Sequence, residues 1–204
     1  MTVGELAQMI LGEAWLKGKK PLDLTVILCE NYNHNTFYEL PVSPSPNLPN
    51  IRSIYLYPSL CLFEGTIVSV GRGTKQQFQV LGYPFSSIGK YKFTPVPREG
   101  AKFPKHKGKL CKGFNLSTIP LEELQAQNQI NLNYLLDFYN AYPKKKPFFN
   151  EDRFFDKLAG TKNLRKQIEK GLSAEEIRAT WEEGLEEFKQ KRKGYLLYED
   201  ESSL

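Results

Sequence analysis

Residues 44–74 read PSPNLPNIRSIYLYPSLCLFEGTIVSVGRGT, and this stretch organises the reading of the rest of the chain. Three prolines, Pro44, Pro46 and Pro49, open it. Each fixes φ, removes a donor and biases its predecessor toward extended geometry. Residues 43–49 are therefore expected to form a stiff arm that holds Ser45 and Asn47 at little entropic cost. The stretch closes on Gly71-Arg72-Gly73-Thr74. Glycine permits positive φ and close approach to the backbone. Successive N–H groups in such a bend can cradle an anion, and a guanidinium adds a bidentate clamp. Between arm and bend lie two apolar runs and one isolated acid, Glu64. A plainer reading stands beside this one. The bend is an ordinary surface turn, Asn47 closes an Asx-turn, and Glu64 is a solvated helix end.

The 204 residues suffice for one domain with a real core, or one and a half. A hydrophobic content of 40% and a charged content of 25% describe a globular chain. Aromatics reach 13%, which favours a core with polar handles or a surface that stacks flat ligand faces. The net charge is +5, and much of the excess lies in residues 102–112 and 144–146. A lysine run is ordinarily a solvated face, and no nucleic-acid signature accompanies it. Cys29, Cys61 and Cys111 form no CxxC pair, and His34 and His106 complete no zinc spacing. Buried thiols are expected, with no metal and no cofactor. His34 reads as a surface loop residue. No apolar run approaches a membrane span, and no secretory signal opens the chain. The chain by itself therefore reads as cytoplasmic.

Thr2-Val3-Gly4-Glu5 is a capping box, so a helix starts almost at the first residue, with Leu6, Ile10 and Ala14 on one face. Such a start suggests a chain that begins where a larger protein continues. Residues 22–29, LDLTVILC, read as a buried strand. Short strands are expected at 53–57, 66–70, 78–82, 91–94 and 110–116, with a turn of helix at 59–63 and a long loop over 95–107. A long helix is expected from Pro120 to about Tyr142, with Leu132, Leu135, Leu136 and Tyr139 as its stripe. Three punctuated helices follow: 151–159 capped by Asn150, 162–170 capped by Thr161, and one opened by the capping box at Ser173. The last buries Ile177, Trp181, Leu185 and Phe188. A short strand at 196–198 and a disordered tail at 199–204 complete the chain. Strands dominate the first half and helices the second. That order predicts an α+β fold, a mixed sheet backed by helices on one side.

The runs MTVGELAQM, DLTVILCENY, PSPNLPN, YPSLCLFEGTIVSVGRGT and the late helix ending in KRKGYLLY together resemble the exo-β-N-acetylmuramidase (NamZ, YbbC-like) family. The resemblance implies a two-domain protein whose Rossmann-like N-terminal domain precedes a smaller C-terminal domain, with the active site in the cleft between them. It implies removal of N-acetylmuramic acid from the non-reducing end of peptidoglycan fragments. It also implies a cell-wall substrate, and hence a periplasmic or extracellular protein. On this resemblance residues 1–198 are one C-terminal domain, and the Rossmann-like domain with its principal carboxylate is absent. The chain is then a truncated gene, a fragment, or one piece of a split enzyme.

Glycoside hydrolysis ordinarily needs two carboxylates flanking the bond. Within the organising stretch only Glu64 is available as a catalytic candidate, and no spacing links it to Glu5, Glu30 or Glu39. For binding, Arg72 with the backbone of Gly71 and Gly73 is the candidate receiver of the lactyl carboxylate of muramic acid. Ser45, Asn47, Ser69 and Thr74 are candidate hydrogen-bonding residues, and Tyr57 can stack on a sugar face. In the alternative, Arg72 bridges Glu64 and locks the loop. Three functions remain open: the substrate-binding half of an enzyme, inactive alone; a free-standing module for cell-wall sugars; or an interaction domain that docks on a separate Rossmann-like partner.

Overall fold

The computed structural model describes residues 1–18 and 22–199. In chain order its elements are α1 (Val3–Gly12), α2 (Ile51–Leu60), a 3-10 turn (Cys61–Gly65), β1 (Val80–Tyr83), β2 (Tyr91–Phe93), β3 (Cys111–Asn115), α3 (Leu121–Ala126), α4 (Asn133–Ala141), α5 (Phe154–Leu158), α6 (Asn163–Glu169), α7 (Ala174–Ala179) and α8 (Glu182–Lys193). The fold is α+β. The chain divides into two compact units, one of residues 1–38 with the stretch from Arg178 onward, the other Glu39–Ile177. Of the tail expected at 199–204, residues 200–204 lie outside the described residues.

The larger unit carries the sheet. It is smaller than expected and antiparallel where a mixed sheet was expected, with strand order β1-β3-β2. Leu81 faces Phe114 and Lys92 faces Lys112 across the register. Residues 66–70 form no strand. They run buried beside the sheet and bridge singly, Thr66 to Phe149 and Ser69 to Gly82. Residues 53–57 are helical. Asn50 Oδ1 accepts the Ser53 N–H at 2.9 Å while Ser53 Oγ accepts the Asn50 N–H at 3.3 Å, a reciprocal cap that starts α2 at Ile51, ahead of the expected strand. Pro58 falls in the last turn of α2, where its missing N–H costs one bond of the ladder and does not break the helix. Ser53, Leu56 and Leu60 form the buried face.

The expected helix over 120–142 is two helices, α3 and α4. Ser59 Oγ accepts the Asn131 N–H at 2.9 Å, and Asn131 Oδ1 accepts the Asn133 N–H at 3.0 Å. These two bonds fix a turn where an unbroken helix was expected. Leu132, Leu135 and Leu136 are buried as the stripe predicted. Asn150 caps no helix. Its N–H donates to Gly65 O and its Nδ2 to Glu64 O, and α5 starts later, after Arg153 at φ 55°. Ser173 does cap, accepting the Glu176 N–H; Thr161 accepts the Asn163 N–H from outside α6, whose N-cap is Lys162 and carries no side-chain bond.

Aromatic rings fill the larger unit. Phe138 is wholly buried and meets Phe63, Phe114 and Tyr83 at centroid distances of 5.6, 5.2 and 6.1 Å. It thereby joins α4, the 3-10 turn and two strands. A Cβ on Gly65 would overlap the backbone of Phe155, so the 3-10 turn and α5 touch main chain to main chain.

The smaller unit is held differently. Glu5 and Met9 form the buried face of α1, not Leu6, Ile10 and Ala14; Leu6 is 43% exposed and Ala14 lies beyond the helix at φ 53°. The Glu5 carboxylate accepts from Thr2 N–H at 2.6 Å and Leu197 N–H at 2.8 Å, and His34 Nε2 lies 2.9 Å away. His34 is thus tied to a buried carboxylate where a free loop residue was expected. Residues 196–198 form no strand; Leu197 serves Glu5, and Tyr198 Oη accepts the Cys29 N–H at 2.9 Å. α8 buries no residue, with Leu185 51% and Phe188 41% exposed, so the stripe expected from Ile177 to Phe188 ends at Ile177. Cys111 alone is buried; Cys29 is exposed and Cys61 is half-buried.

Residues 22–29, expected to be a buried strand, carry no regular secondary structure, pair with no strand among the described residues and are largely exposed.

Phe138→Ala removes the ring on which these walls meet and is expected to cost about 3–5 kcal/mol, read by urea denaturation with far-UV circular dichroism. Burial alone would raise the Glu5 carboxyl; the Leu197 and Thr2 N–H donors and His34 outweigh it and bring it from an ordinary 4.5 down to about 2. A carboxyl depressed in the folded state stabilises fully above 4.5 and loses that contribution as the pH falls toward 2. Trp15 and Trp181 both lie in the smaller unit, so tryptophan fluorescence should report an acid transition in that window, and Glu5→Gln should flatten it.

Candidate functional site

The bend at 71–74 is built from within. Gly71 and Gly73 adopt φ 77° and 85°, the left-handed region where glycine carries no Cβ penalty. A Cβ on Gly73 would lie 2.7 Å from both Pro104 and the Val96 carbonyl, so the loop over 95–108 packs directly on the bend. The Val96 N–H donates to Gly73 O at 2.9 Å. Thr74 Oγ1 donates to Gly71 O at 2.7 Å and accepts the Gln76 N–H at 2.9 Å. Ser69 Oγ accepts the Gly71 N–H at 3.3 Å. Ser69 and Thr74 therefore serve the bend itself, and the Gly71 N–H is already engaged.

Arg72 projects from this base. It donates to Glu64 Oε2 at 3.1 Å and to Gly100 O at 3.0 Å. The proline arm reaches the same carbonyl, since Asn47 Nδ2 donates to Gly100 O at 2.9 Å. Arm, bend and loop thus converge on one peptide oxygen. Ser45 closes the arm's own turn by accepting the Asn47 N–H at 3.2 Å. Tyr57 packs on Phe78 with centroids 5.0 Å apart and leaves 37% of its surface exposed. Its phenol is pushed up by burial and then by Glu64, and the Cys61 thiol is pushed up by the same two causes.

The loop over 95–108 is anchored by a lysine that the sequence reading passed over as part of a solvated run. Lys105 Nζ donates to the carbonyls of Phe63, Thr66 and Val68. Burial brings its ammonium down to about 8, against the opposing field of Glu64. His106 Nε2 lies 2.6 Å from Ile67 O and adds a second anchor to the same segment.

Together these residues wall a cavity of about 550 Å³ lined by Glu64, Arg72, Gly100, Lys102, Phe103 and Lys105 among others. Glu64 is the single carboxylate among the described lining residues, facing three cations. Lys102 makes no ion pair among the described residues, and Phe103 is 89% exposed. Neither was singled out from the sequence; a phenylalanine between lysines in a proline-flanked loop was the available signal. A second cavity of about 360 Å³ lies around Tyr139, Phe149, Asn150 and Arg165. Its Arg165 is clamped by both oxygens of Asp156, at 2.8 and 3.0 Å. Among the described residues no cluster of His, Cys, Asp and Glu is placed to hold a metal, and no helix is long and apolar enough to cross a membrane.

Two family models match the chain. The one described as "Exo-beta-N-acetylmuramidase NamZ, C-terminal" covers residues 55–198, and the one described as "Exo-beta-N-acetylmuramidase NamZ, N-terminal" covers residues 1–52. The family's domain boundary therefore falls inside the chain, in the proline-led stretch. The peptidoglycan beta-N-acetylmuramidase NamZ of Bacillus subtilis (strain 168) is 33% identical over 213 residues, 97% of this chain and 50% of its own length. A crystal structure of a DUF1343 family protein from Bacteroides fragilis NCTC 9343 is 52% identical and superposes with a TM-score of 0.92 over 98% of this chain and 56% of its own. A second such protein from that organism, at 20% identity and a TM-score of 0.72, shares the fold. The chain thus spans about half the length of the curated relative it matches.

Gly73→Ala adds a Cβ where both φ and the Pro104 contact forbid one. It is expected to cost about 1–3 kcal/mol, seen as a lower urea midpoint together with faster amide exchange across residues 96–105.

Proposed function

The chain belongs to the exo-β-N-acetylmuramidase (NamZ) family, and we propose that its larger unit supplies one wall of the sugar site of such an enzyme. The observation that carries this reading is the convergence of Arg72 and Asn47 on Gly100 O at the rim of a cavity with three cations and one acid. N-acetylmuramic acid differs from N-acetylglucosamine by a lactyl carboxylate. A cavity with excess positive charge favours the acidic sugar, since an ionic partner strengthens a hydrogen bond about twofold. Lys102, with the N–H groups of Arg72 not engaged by Glu64 and Gly100, receives the carboxylate. Phe103 offers the open ring face for stacking, in the place first assigned to Tyr57, whose ring already packs on Phe78.

Glu64 is one carboxylate, and cleavage of a glycosidic bond ordinarily needs two. The second comes from the part of the N-terminal domain that residues 1–52 do not include, so the chain by itself binds without turning over. On this reading the substrate is a peptidoglycan-derived muramic acid glycoside, and the assembled protein works at the cell wall, in the periplasm or outside the cell.

Two measurements test the reading. Titration by NMR should show N-acetylmuramic acid binding more tightly than N-acetylglucosamine, and Lys102→Ala should weaken the former about tenfold while leaving the latter unchanged. Equal loss on both sugars removes the carboxylate role. A chromogenic muramic acid glycoside should release no dye with the 204-residue chain. Clear turnover would show that a complete catalytic pair lies within it.

A further inference from the structure

The corner after β1 holds an aromatic ring out in solvent. The Tyr83 carbonyl accepts the Ser86 N–H at 3.4 Å, with Pro84 second and Phe85 third in the turn. Phe85 sits at φ 63°. Proline followed by a positive φ is the pattern of a type II turn, whose third position ordinarily takes glycine. Phe85 is also 100% exposed, so its ring adds no burial to the fold. The corner is nonetheless firmly held. Ser86 Oγ accepts the Ile88 N–H at 3.3 Å and donates to Ile88 O at 3.2 Å. A Cβ on Gly89 would overlap the Gly113 carbonyl, so the loop closes main chain to main chain on β3. Lysines stand beside the ring. Lys92 and Lys112 are paired across the β2–β3 register. Residues so opposed share one face of the sheet, and like charges there repel. With Pro84, Phe85, Lys109 and Leu110 they line a hollow of about 550 Å³. No acid lines it, and none of its three lysines makes an ion pair among the described residues. Leu110 is 58% exposed.

We infer that this corner is a docking surface for an anionic lipid bilayer. An uncovered ring at a glycine position and two opposed cations both work against the fold, and an occupant turns both to use. Three lysines without an acid set its sign: it is anionic. The ring sets its texture. A soluble polyanion pairs the lysines and leaves Phe85 in water. An apolar protein face covers Phe85 and leaves the lysines unpaired. The boundary of a bilayer does both, since phosphate headgroups meet the ammonium groups while Phe85 and Leu110 enter the acyl edge. The turn is fixed before contact, so little ordering entropy is lost on docking. With one full ring and three cations the attachment is peripheral and reversible. The inference uses neither the sugar site nor family membership, so its failure leaves the muramic acid titration unaffected.

The test measures partition of the 204-residue chain onto vesicles by flotation at low salt. One set is phosphatidylcholine alone, the other phosphatidylcholine and phosphatidylglycerol in equal parts. The chain should float with the anionic vesicles and not with the neutral ones, and added salt should release it. Phe85→Gly supplies the residue that φ 63° favours, so the urea midpoint should hold or rise while partition falls about tenfold. Lys92→Gln with Lys112→Gln removes the opposed charges, so the midpoint should again hold or rise while partition falls about twenty-five-fold, about fivefold per lysine. Both variants thus separate lost docking from lost folding. Soluble dextran sulfate serves as the competing polyanion. The inference is overturned by any of four results: no partition onto anionic vesicles, equal partition onto neutral ones, partition that either variant leaves unchanged, or dextran sulfate binding as tightly as the vesicles with Phe85→Gly at full strength on both.

Discussion

The larger unit depends on the ammonium of Lys105. The backbone over 63–68 leaves a 3-10 turn and enters the extended segment beside the sheet, and at that change of geometry the carbonyls of Phe63, Thr66 and Val68 all lie on one side. The Phe63 oxygen also accepts from the Thr66 N–H and hydroxyl, whereas Thr66 O and Val68 O have no other donor among the described residues. A buried carbonyl without a donor carries a desolvation cost of about 1–3 kcal/mol. One ammonium with three donors answers both and adds a contact at Phe63. The same contact fixes the loop over 95–108 onto the bend at Arg72. The position of Gly100 O, where Arg72 and Asn47 meet, follows from that anchor. Burial lowers the affinity of Lys105 for its proton, which measures how far the ammonium has been drawn out of water.

The smaller unit uses a charge of the opposite sign for the same purpose. Glu5 is fully buried and gathers donors from α1, from the loop at His34 and from the segment at Leu197. A buried charge is tolerated only when its hydrogen-bonding capacity is filled. In both units, then, a single ion with several backbone partners does what an extended ladder does in a larger sheet. The aromatic cluster around Phe138 adds apolar burial within the larger unit, whereas α8 buries none of its own residues.

Much of this was legible wherever the signal was local. The caps at Thr2 and Ser173 and the strands around residues 80–83, 91–93 and 111–115 follow from neighbouring side chains. The break between α3 and α4 does not, because it depends on Ser59, distant in sequence. The α2 cap was local but carried Ser53 where Glu or Gln is the usual partner, and Pro58 sits in the last turn of a helix where proline usually opens one. At the site, the proline arm and the glycine bend were visible as motifs, and so was the Arg72–Glu64 pair as one of two options. Lys102, Phe103 and Lys105 were hidden by composition. A lysine run reads as a solvated face, and only long-range contacts distinguish the half-buried Lys105 from the exposed Lys102, Lys107 and Lys109.

The pairing of Arg72 with Glu64 constrains what chemistry this wall can perform. Arg72 engages Oε2, which leaves Oε1 as the oxygen through which Glu64 can meet a hydroxyl. Asn150 holds the Glu64 carbonyl, and Gly65 is pressed against the backbone of α5, so the side chain is mounted on a segment with little freedom to move. A rigid carboxylate already bonded to a guanidinium is suited to orienting a ligand: its geometry is fixed before the ligand arrives, and less ordering entropy remains to be lost on binding. Beside it lie Lys102, which makes no ion pair among the described residues, and the uncovered ring of Phe103; in the proposed sugar site they take distinct tasks, one ionic and one apolar. The cavity is thus lined from two sides, by Glu64 and Arg72 of the motif stretch and by Lys102, Phe103 and Lys105 of a loop that, read alone, looked like solvent-exposed filler.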